Sequence, residues 1–291
     1  MSPPGVAHSP LGQAQGSAPT GRLGVPPPGQ AQGSSPTGRN GVPPSGQAQG
    51  PAPTGRSDVP LSVQYSELVS RINKACTESG RSPSDLTLLA VSKSQPAERL
   101  AELANLGQRD FGESYVQEAL PKLDALSALG LTDKGLIWHF IGPIQSNKTR
   151  LIAERFNWVH SVDRLKIAER LSAQRPAHLP PLNVCLEVNI SDETSKGGVL
   201  PAELPALAQA VAGLPHLRLR GLMAIPAPSD DPATQRTAFR HLRQLLEQLR
   251  TMGLDLDALS MGMSDDLEAA IAEGATHLRV GTALFGARNY T

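Results

Sequence analysis

A lysine closes the apolar run Leu88-Leu89-Ala90-Val91-Ser92-Lys93, just ahead of Ser94-Gln95-Pro96. Burying an ammonium is costly, so this side chain either reaches water, finds a partner, or sits neutral and reactive. Strand alternation puts Leu89, Val91 and Lys93 on one face. If that face looks into a closed barrel, the amine stands over a packed apolar floor, where desolvation lowers its pKa and frees its lone pair. A neutral amine so placed suits Schiff-base formation with an aldehyde. The plainer alternative is a lysine that snorkels to the surface.

The stretch from His277 to Thr282, His-Leu-Arg-Val-Gly-Thr, adds a second group. Leu278 and Val280 share one face, and Arg279 and Gly281 the other. If the apolar pair packs on outer helices, Arg279 points inward and needs an acceptor. A carboxylate such as Glu187 would make a structural ion pair; a ring nitrogen of a bound heterocycle would make a binding site. Gly281 lets a ligand approach the backbone, and the Thr282 hydroxyl and the following helix N-terminus can donate to phosphate. The run from Ser260 to Asp266, Ser-Met-Gly-Met-Ser-Asp-Asp, offers the same device. It has a glycine in the strand, then Ser264 as N-cap with exposed amides, which is also an ordinary way to start a helix. A reactive amine, an interior arginine and two phosphate-cradling turns together point to pyridoxal 5'-phosphate.

These residues need elements to position them, and the pattern supplies eight strand–helix units. An opening helix at 62–79 carries Leu68, Ile72 and Cys76 at four-residue spacing. Strands are expected at 86–92, from Asp110, at 136–142, 159–162, 183–190, 217–225, 259–263 and 278–281. Helices fall between them, at 96–106, 115–127, 146–155, from 163, at 201–212 and at 232–251, with a short one capped by Ser264. The 232–251 helix carries Phe239, Leu242, Leu246 and Leu249 on one side. Eight strands alternating with helices in a chain of this length predict a (β/α)8 TIM barrel, with its site at the carboxyl ends of the strands. Counting strands does not prove closure, and a doubly wound open sheet is the alternative. In this reading Lys93 closes the first strand and Asn189 the fifth, Ser264 follows the seventh and Gly281-Thr282 the eighth.

Composition divides the chain in two. Residues 1–60 hold 13 of the 26 prolines and 12 of the 27 glycines, with no aromatic residue. Such a segment buries too little apolar surface to offset chain ordering and is expected to be a disordered tail. Gln-Ala-Gln recurs at Gln13, Gln30 and Gln47, and Pro-Thr-Gly-Arg ends at Arg22, Arg39 and Arg56, a period of 17 residues. The units lack the apolar face that solenoid repeats stack. Seventeen codons suggest a DNA tandem repeat read through from a start placed too early, with a start near Val59 as the natural one; a real flexible tail is the other reading. No apolar core of a secretory signal follows Met1.

Residues 61–291 form the expected barrel domain, with 24 Lys+Arg against 26 Asp+Glu. Near-neutral charge argues against a nucleic-acid surface, and no apolar run approaches the roughly 18 residues of a membrane helix. Cys76 and Cys185, far apart and without metal spacing, read as buried thiols in a reducing cytoplasm, and no metal is expected. His139 reads as a satisfied core histidine, with a place facing the barrel as the alternative. Trp138, Met261 and Met263 read as core. Gln145 to Lys148 fall at a strand-to-helix turn on the active face, and Glu193 with Lys196 could form a mobile rim or a solvated ion pair.

The ordered series of motifs resembles one family. "AVSKSQP", "FGESYVQE", "WHFIGPIQSNK", "HSVDR", "EVNISDETSKGG", "GLMAI", "LSMGMSDD" and "RVGTALFGARNY" are similar to those of the pyridoxal phosphate homeostasis proteins. These are single-barrel relatives of the N-terminal domain of alanine racemase. The resemblance covers roughly residues 62–290. It implies a Schiff base between pyridoxal 5'-phosphate and Lys93, phosphate contacts at Ser264, Gly281 and Thr282, Arg279 beside the pyridine nitrogen, and Met223 near the ring. Ser114 stands where the family usually has asparagine, so a side-chain contact from this position is in doubt.

An arginine beside the pyridine nitrogen does not readily give up its proton, leaving the ring a poor electron sink. Racemisation would need a second acid–base residue opposite the lysine, which alanine racemase draws from a C-terminal β domain. The chain ends at Thr291, so that domain is expected to be absent, and none of Tyr65, Tyr115 and Tyr290 is an obvious substitute. The expectation is a monomeric cytoplasmic carrier that buffers the cofactor for apoenzymes and has no catalytic residues. An amino-acid racemase is the runner-up, and a cofactor-free regulator using the barrel for docking is a third class.

Overall fold

The computed structural model describes residues 59–191, 193 and 197–286. The expected tail at 1–60, apart from Val59 and Pro60, lies outside the described residues, as do Lys196 and Tyr290. Eight parallel strands close into a barrel in chain order. They are β1 Thr87–Val91, β2 Asp110–Glu113, β3 Ile137–Phe140, β4 Trp158–Val162, β5 Leu182–Glu187, β6 Leu217–Met223, β7 Ala258–Ser260 and β8 His277–Val280. Four register pairs, from Thr87↔His277 to Ala90↔Val280, join β1 to β8 and remove the open-sheet alternative. The helices are α1 Leu61–Glu78, α2 Ala97–Asn105, α3 Val116–Ala128, α4 Thr149–Arg155, α5 Leu165–Gln174, α6 Leu204–Ala212, α7 Pro232–Thr251, α8 Leu267–Ala272 and α9 Thr282–Phe285. Among the described residues no helix is long and apolar enough to cross a membrane.

Alternation sorts each strand's side chains between two unlike interiors. Outward-facing Leu88, Ala90, Phe111, Phe140, Leu278 and Val280 join Ile72, Leu100, Ile152, Ile167 and Phe239 of the helices in one large apolar cluster. Inside the barrel a small cluster of Trp158, Cys185, Met223 and Ala258 stands apart. Leu89, in register with Arg279, is also buried, and beside these apolar groups lies a polar set of Asp110, His139, His160, Ser260, His277 and Arg279, all buried. Helix α7 occupies the 232–251 span expected of it. Pro232 sits in its first turn and the Asp231 carboxylate accepts from Ala233 N at 3.2 Å and Thr234 N at 3.0 Å.

Several strands stop earlier than the apolar runs suggest, each for a local reason. β1 ends at Val91 because Ser94 turns the chain at φ 62°. β5 ends at Glu187, after which the Asn189 amide folds the loop by donating to Glu193 O at 2.9 Å and accepting from Glu193 N at 3.3 Å. α4 starts at Thr149 rather than 146, since Lys148 N closes a turn onto Gln145 O at 2.9 Å.

β7 ends at Ser260 because Gly262 adopts φ +94°, which reverses the chain into the loop before α8. That glycine therefore lies beyond the strand, and Met263 is 37% exposed instead of joining Met261 in the core. A Cβ on residue 262 would sit 2.5 Å from Ala270 Cβ and 2.9 Å from Leu278 Cδ2. Gly262→Ala thus combines an unfavourable φ with overpacking and is expected to lower stability by about 2–4 kcal/mol in urea denaturation. An unchanged midpoint would refute that steric account.

Candidate functional site

The carboxyl-terminal mouth of the barrel gathers most of the residues singled out above. Lys93 lies half-buried in the turn two residues past β1. Its neighbours on either side are anchored. Ser92 N continues the ladder to Gly112 O at 2.9 Å, and the Ser92 hydroxyl donates to Glu113 Oε1 at 2.7 Å. From α3, Lys122 Nζ donates to Ser92 O at 2.7 Å and to Glu113 Oε1 at 2.8 Å. On the far side, Ser94 N donates to Glu118 Oε2 at 3.1 Å. Glu113 is fully buried and its Oε2 lacks a hydrogen-bond partner. Burial pushes its carboxyl pKa up, and the Lys122 ammonium and Ser92 hydroxyl pull against that rise.

Arg279 is interior, as its alternation with Leu278 and Val280 predicts. Its Nη1 donates to Ser260 Oγ at 2.8 Å and its Nη2 to Ala224 O at 2.9 Å. Glu187 is not the hydrogen-bonded partner considered above; it acts on Arg279 only as a more distant charge. Burial pulls the Arg279 pKa down to about 10, still high enough to keep the guanidinium charged at neutral pH. The Glu187 carboxyl is pushed up by burial first and by Asp163 next, with Arg279 opposing.

The two turns expected to cradle phosphate are joined to each other. Ser264 is not the N-cap of α8, a place taken by Asp266. Its hydroxyl instead accepts from Ala283 N at 3.1 Å, tying the loop after β7 to the first turn of α9. Arg71 of α1 supports the same loop from outside, Nη1 to Ser264 O at 2.9 Å. Gly281 is the N-cap of α9, and a Cβ there would lie 3.5 Å from Val91, which sets the end of β8 against the end of β1. Thr282, the first residue of α9, is exposed. Ser114 is half-buried after β2, its main chain packed so closely on Gly142 that a Cβ would overlap its carbonyl. Met223 is 1% exposed and packs inside with Trp158, Cys185 and Ala258, pairing in register with Glu187 and Ser260.

A row of polar groups below Arg279 escaped the reading of the sequence. Asp110 Oδ1 lies 3.0 Å from His139 Nε2, His139 Nδ1 2.9 Å from His160 Nε2, and His160 Nδ1 2.8 Å from Ser260 Oγ. His139 is a satisfied core histidine, and it also faces the barrel. The same alternation that placed Arg279 inward would have found His277 and His160, each two residues from an inward-facing position. Among the described residues no cluster of His, Cys, Asp or Glu is placed to hold a metal ion. The mouth thus offers a primary amine on a braced turn, a charged guanidinium and a joined pair of hydroxyl-bearing turns. That set fits a small molecule with an aldehyde, a ring acceptor and an anionic end.

Comparison with known proteins shows what the chain is similar to. Residues 69–289 match the family described as alanine racemase, N-terminal domain. A Pseudomonas aeruginosa protein named pyridoxal phosphate homeostasis protein is 62% identical over 225 residues, which span 77% of this chain and 94% of that relative. The Escherichia coli protein of the same name is 56% identical over 226 residues, 78% of this chain and 96% of that one. The solved structure of PipY from Synechococcus elongatus with PLP bound superposes with a TM-score of 0.68 at 36% identity, covering 78% of this chain and all of PipY.

Proposed function

Because the chain belongs to the pyridoxal phosphate homeostasis protein family, we propose that it binds pyridoxal 5'-phosphate at the carboxyl-terminal mouth and holds it in reserve. The cofactor supplies an aldehyde that a lysine amine can capture reversibly. We assign that role to Lys93, and the anchoring of Ser92 and Ser94 on either side of it supports the reading. Arg279 would face the ring nitrogen, with Met223 packed beneath. Ser264, Gly281 and Thr282 would receive the phosphate, with Ser114 on the rim.

The observation that carries a holding role over turnover is the state of Arg279. Its guanidinium stays charged and is already committed to Ser260 and Ala224, so it cannot serve as a proton donor that would make the ring an electron sink. Of the described tyrosines, Tyr65 packs on the outer apolar core and Tyr115 is 55% exposed at the start of α3. Neither supports the two-base chemistry of a racemase. Delivery to apoenzymes, action in the cytoplasm and a monomeric state complete the proposal.

An absorbance titration of the purified protein with pyridoxal 5'-phosphate, followed by incubation with single L-amino acids and chiral chromatography, tests it. The expected result is a saturable new absorption band with D-enantiomer at trace level. Absence of the band would overturn cofactor binding, and sustained racemisation would overturn the holding role.

A further inference from the structure

Four hydrogen bonds join Asp110 at the amino-terminal end of β2 to Arg279 in β8, through His139, His160 and Ser260. The carboxylate end fixes the direction of the series for neutral rings, since a carboxylate only accepts, while the Ser260 oxygen can take a guanidinium N–H in either direction. Asp110 takes the His139 Nε2–H. The bare Nδ1 of a neutral His139 then accepts from His160 Nε2–H, and the bare Nδ1 of His160 accepts from the Ser260 hydroxyl. The Ser260 oxygen is left to take Arg279 Nη1–H. Every group is satisfied with both rings neutral. A doubly protonated His139 would reverse the middle bonds and leave the Ser260 hydroxyl without His160 as its acceptor.

We propose that Asp110, His139, His160 and Ser260 are positioning residues for Arg279, a polarised chain that locks the guanidinium in the orientation the cofactor ring meets. The proposal rests on the reading that Arg279 faces that ring. With Nη1 held by Ser260 and Nη2 by Ala224, the guanidinium cannot rotate without breaking both bonds, and its remaining N–H donors are pre-oriented. Electrostatics agree. Burial holds His160 and His277 well below the usual histidine range, and the neighbouring His139, Arg220 and Arg279 add to it. The lower end of the chain opens on a cavity of about 370 Å³ lined by Asp110, His139, Asn157, Trp158, Arg220 and His277. The cofactor end is therefore electrically coupled to a second, opposite mouth of the barrel.

The test begins on the cofactor-free protein labelled with ¹⁵N, using long-range proton–nitrogen correlation of the histidine rings at neutral pH. His139 and His160 are both expected in the Nε2–H form with a bare Nδ1. A protonated ring, or Nδ1–H on His160, overturns the chain. In Asp110→Asn the acceptor-only end is lost, so the His160 nitrogens should shift toward mixed tautomers, although residue 110 does not touch that ring, and Arg279 guanidinium protons should exchange faster. Unchanged His160 and Arg279 signals overturn the coupling. In the second arm, Ser260→Ala should weaken pyridoxal 5'-phosphate binding about tenfold, the worth of one hydrogen bond to a charged group, and Asp110→Asn less. Affinities equal to the parent's overturn the positioning role. If Ser260→Ala does not fold, Asp110→Asn at the open mouth decides alone. A parent protein that binds no cofactor would reject the functional reading, while the tautomer and exchange measurements would still decide the chain.

Discussion

Lys93→Ala is expected to abolish covalent attachment of pyridoxal 5'-phosphate and to leave a complex roughly 100-fold weaker, a loss of about 2.7 kcal/mol. In the proposed site this amine captures the aldehyde, so its removal takes away the covalent anchor. Residual binding should survive, because the turns proposed to receive the phosphate do not depend on the lysine. Ser264 stays tied to Ala283 N, and Gly281 stays against Val91. The turn itself should also survive, since Ser92 is held by Glu113 and Lys122, and Ser94 by Glu118. Borohydride reduction of the loaded protein followed by intact mass and peptide mapping checks this. The parent should carry one fixed adduct at Lys93 and the variant none. An adduct on a different lysine, or equal yield in the variant, would reject the assignment.

Arg279 was legible because it interrupts an apolar strand and two-residue alternation says which way it points, whereas Lys93 lies in a turn past β1 that strand alternation does not describe. The barrel was legible for a related reason. The outer faces of Leu88-Ala90 and Leu278-Val280 meet apolar helices, so strand–helix units repeat with a readable period. What failed was anything decided by a partner distant in the chain. Ser264 obeys the local rule for an N-cap, yet its hydroxyl is claimed by Ala283, 19 residues on, while Asp266 stands at the start of α8. Met263 is apolar and was expected inside, but the positive φ of Gly262 turns it out to solvent. The polar chain under Arg279 draws one residue each from β2, β3, β4 and β7, and no spacing along the sequence records that meeting.

Lys122→Met should be the most damaging single substitution away from the ligand-facing surface, costing about 3–5 kcal/mol, because it leaves the Glu113 carboxylate buried without its cation. Glu113 is fully buried, and Lys122 supplies both its ion pair at 2.8 Å and the bond to Ser92 O at 2.7 Å. The pH dependence gives the prediction its sign. Burial raises the Glu113 pKa above its ordinary 4.5, so its favourable linkage term is fully present below 4.5 and is lost as pH rises through the folded value. Removing Lys122 deletes the strongest influence pulling that pKa down and raises it further. The variant should therefore be most destabilised near neutrality, and the gap to the parent in urea denaturation should narrow as pH falls toward 4.5. A constant gap would mean that Glu113 is not ionised in the parent and that Lys122 acts by packing alone. Since Lys122 also holds the residue before Lys93, the folded fraction of the variant should bind pyridoxal 5'-phosphate several-fold more weakly, roughly as expected for one lost hydrogen bond. The buried ion pair and the turn that carries Lys93 are one structure, so a change made under α3 should be read out at the mouth of the barrel.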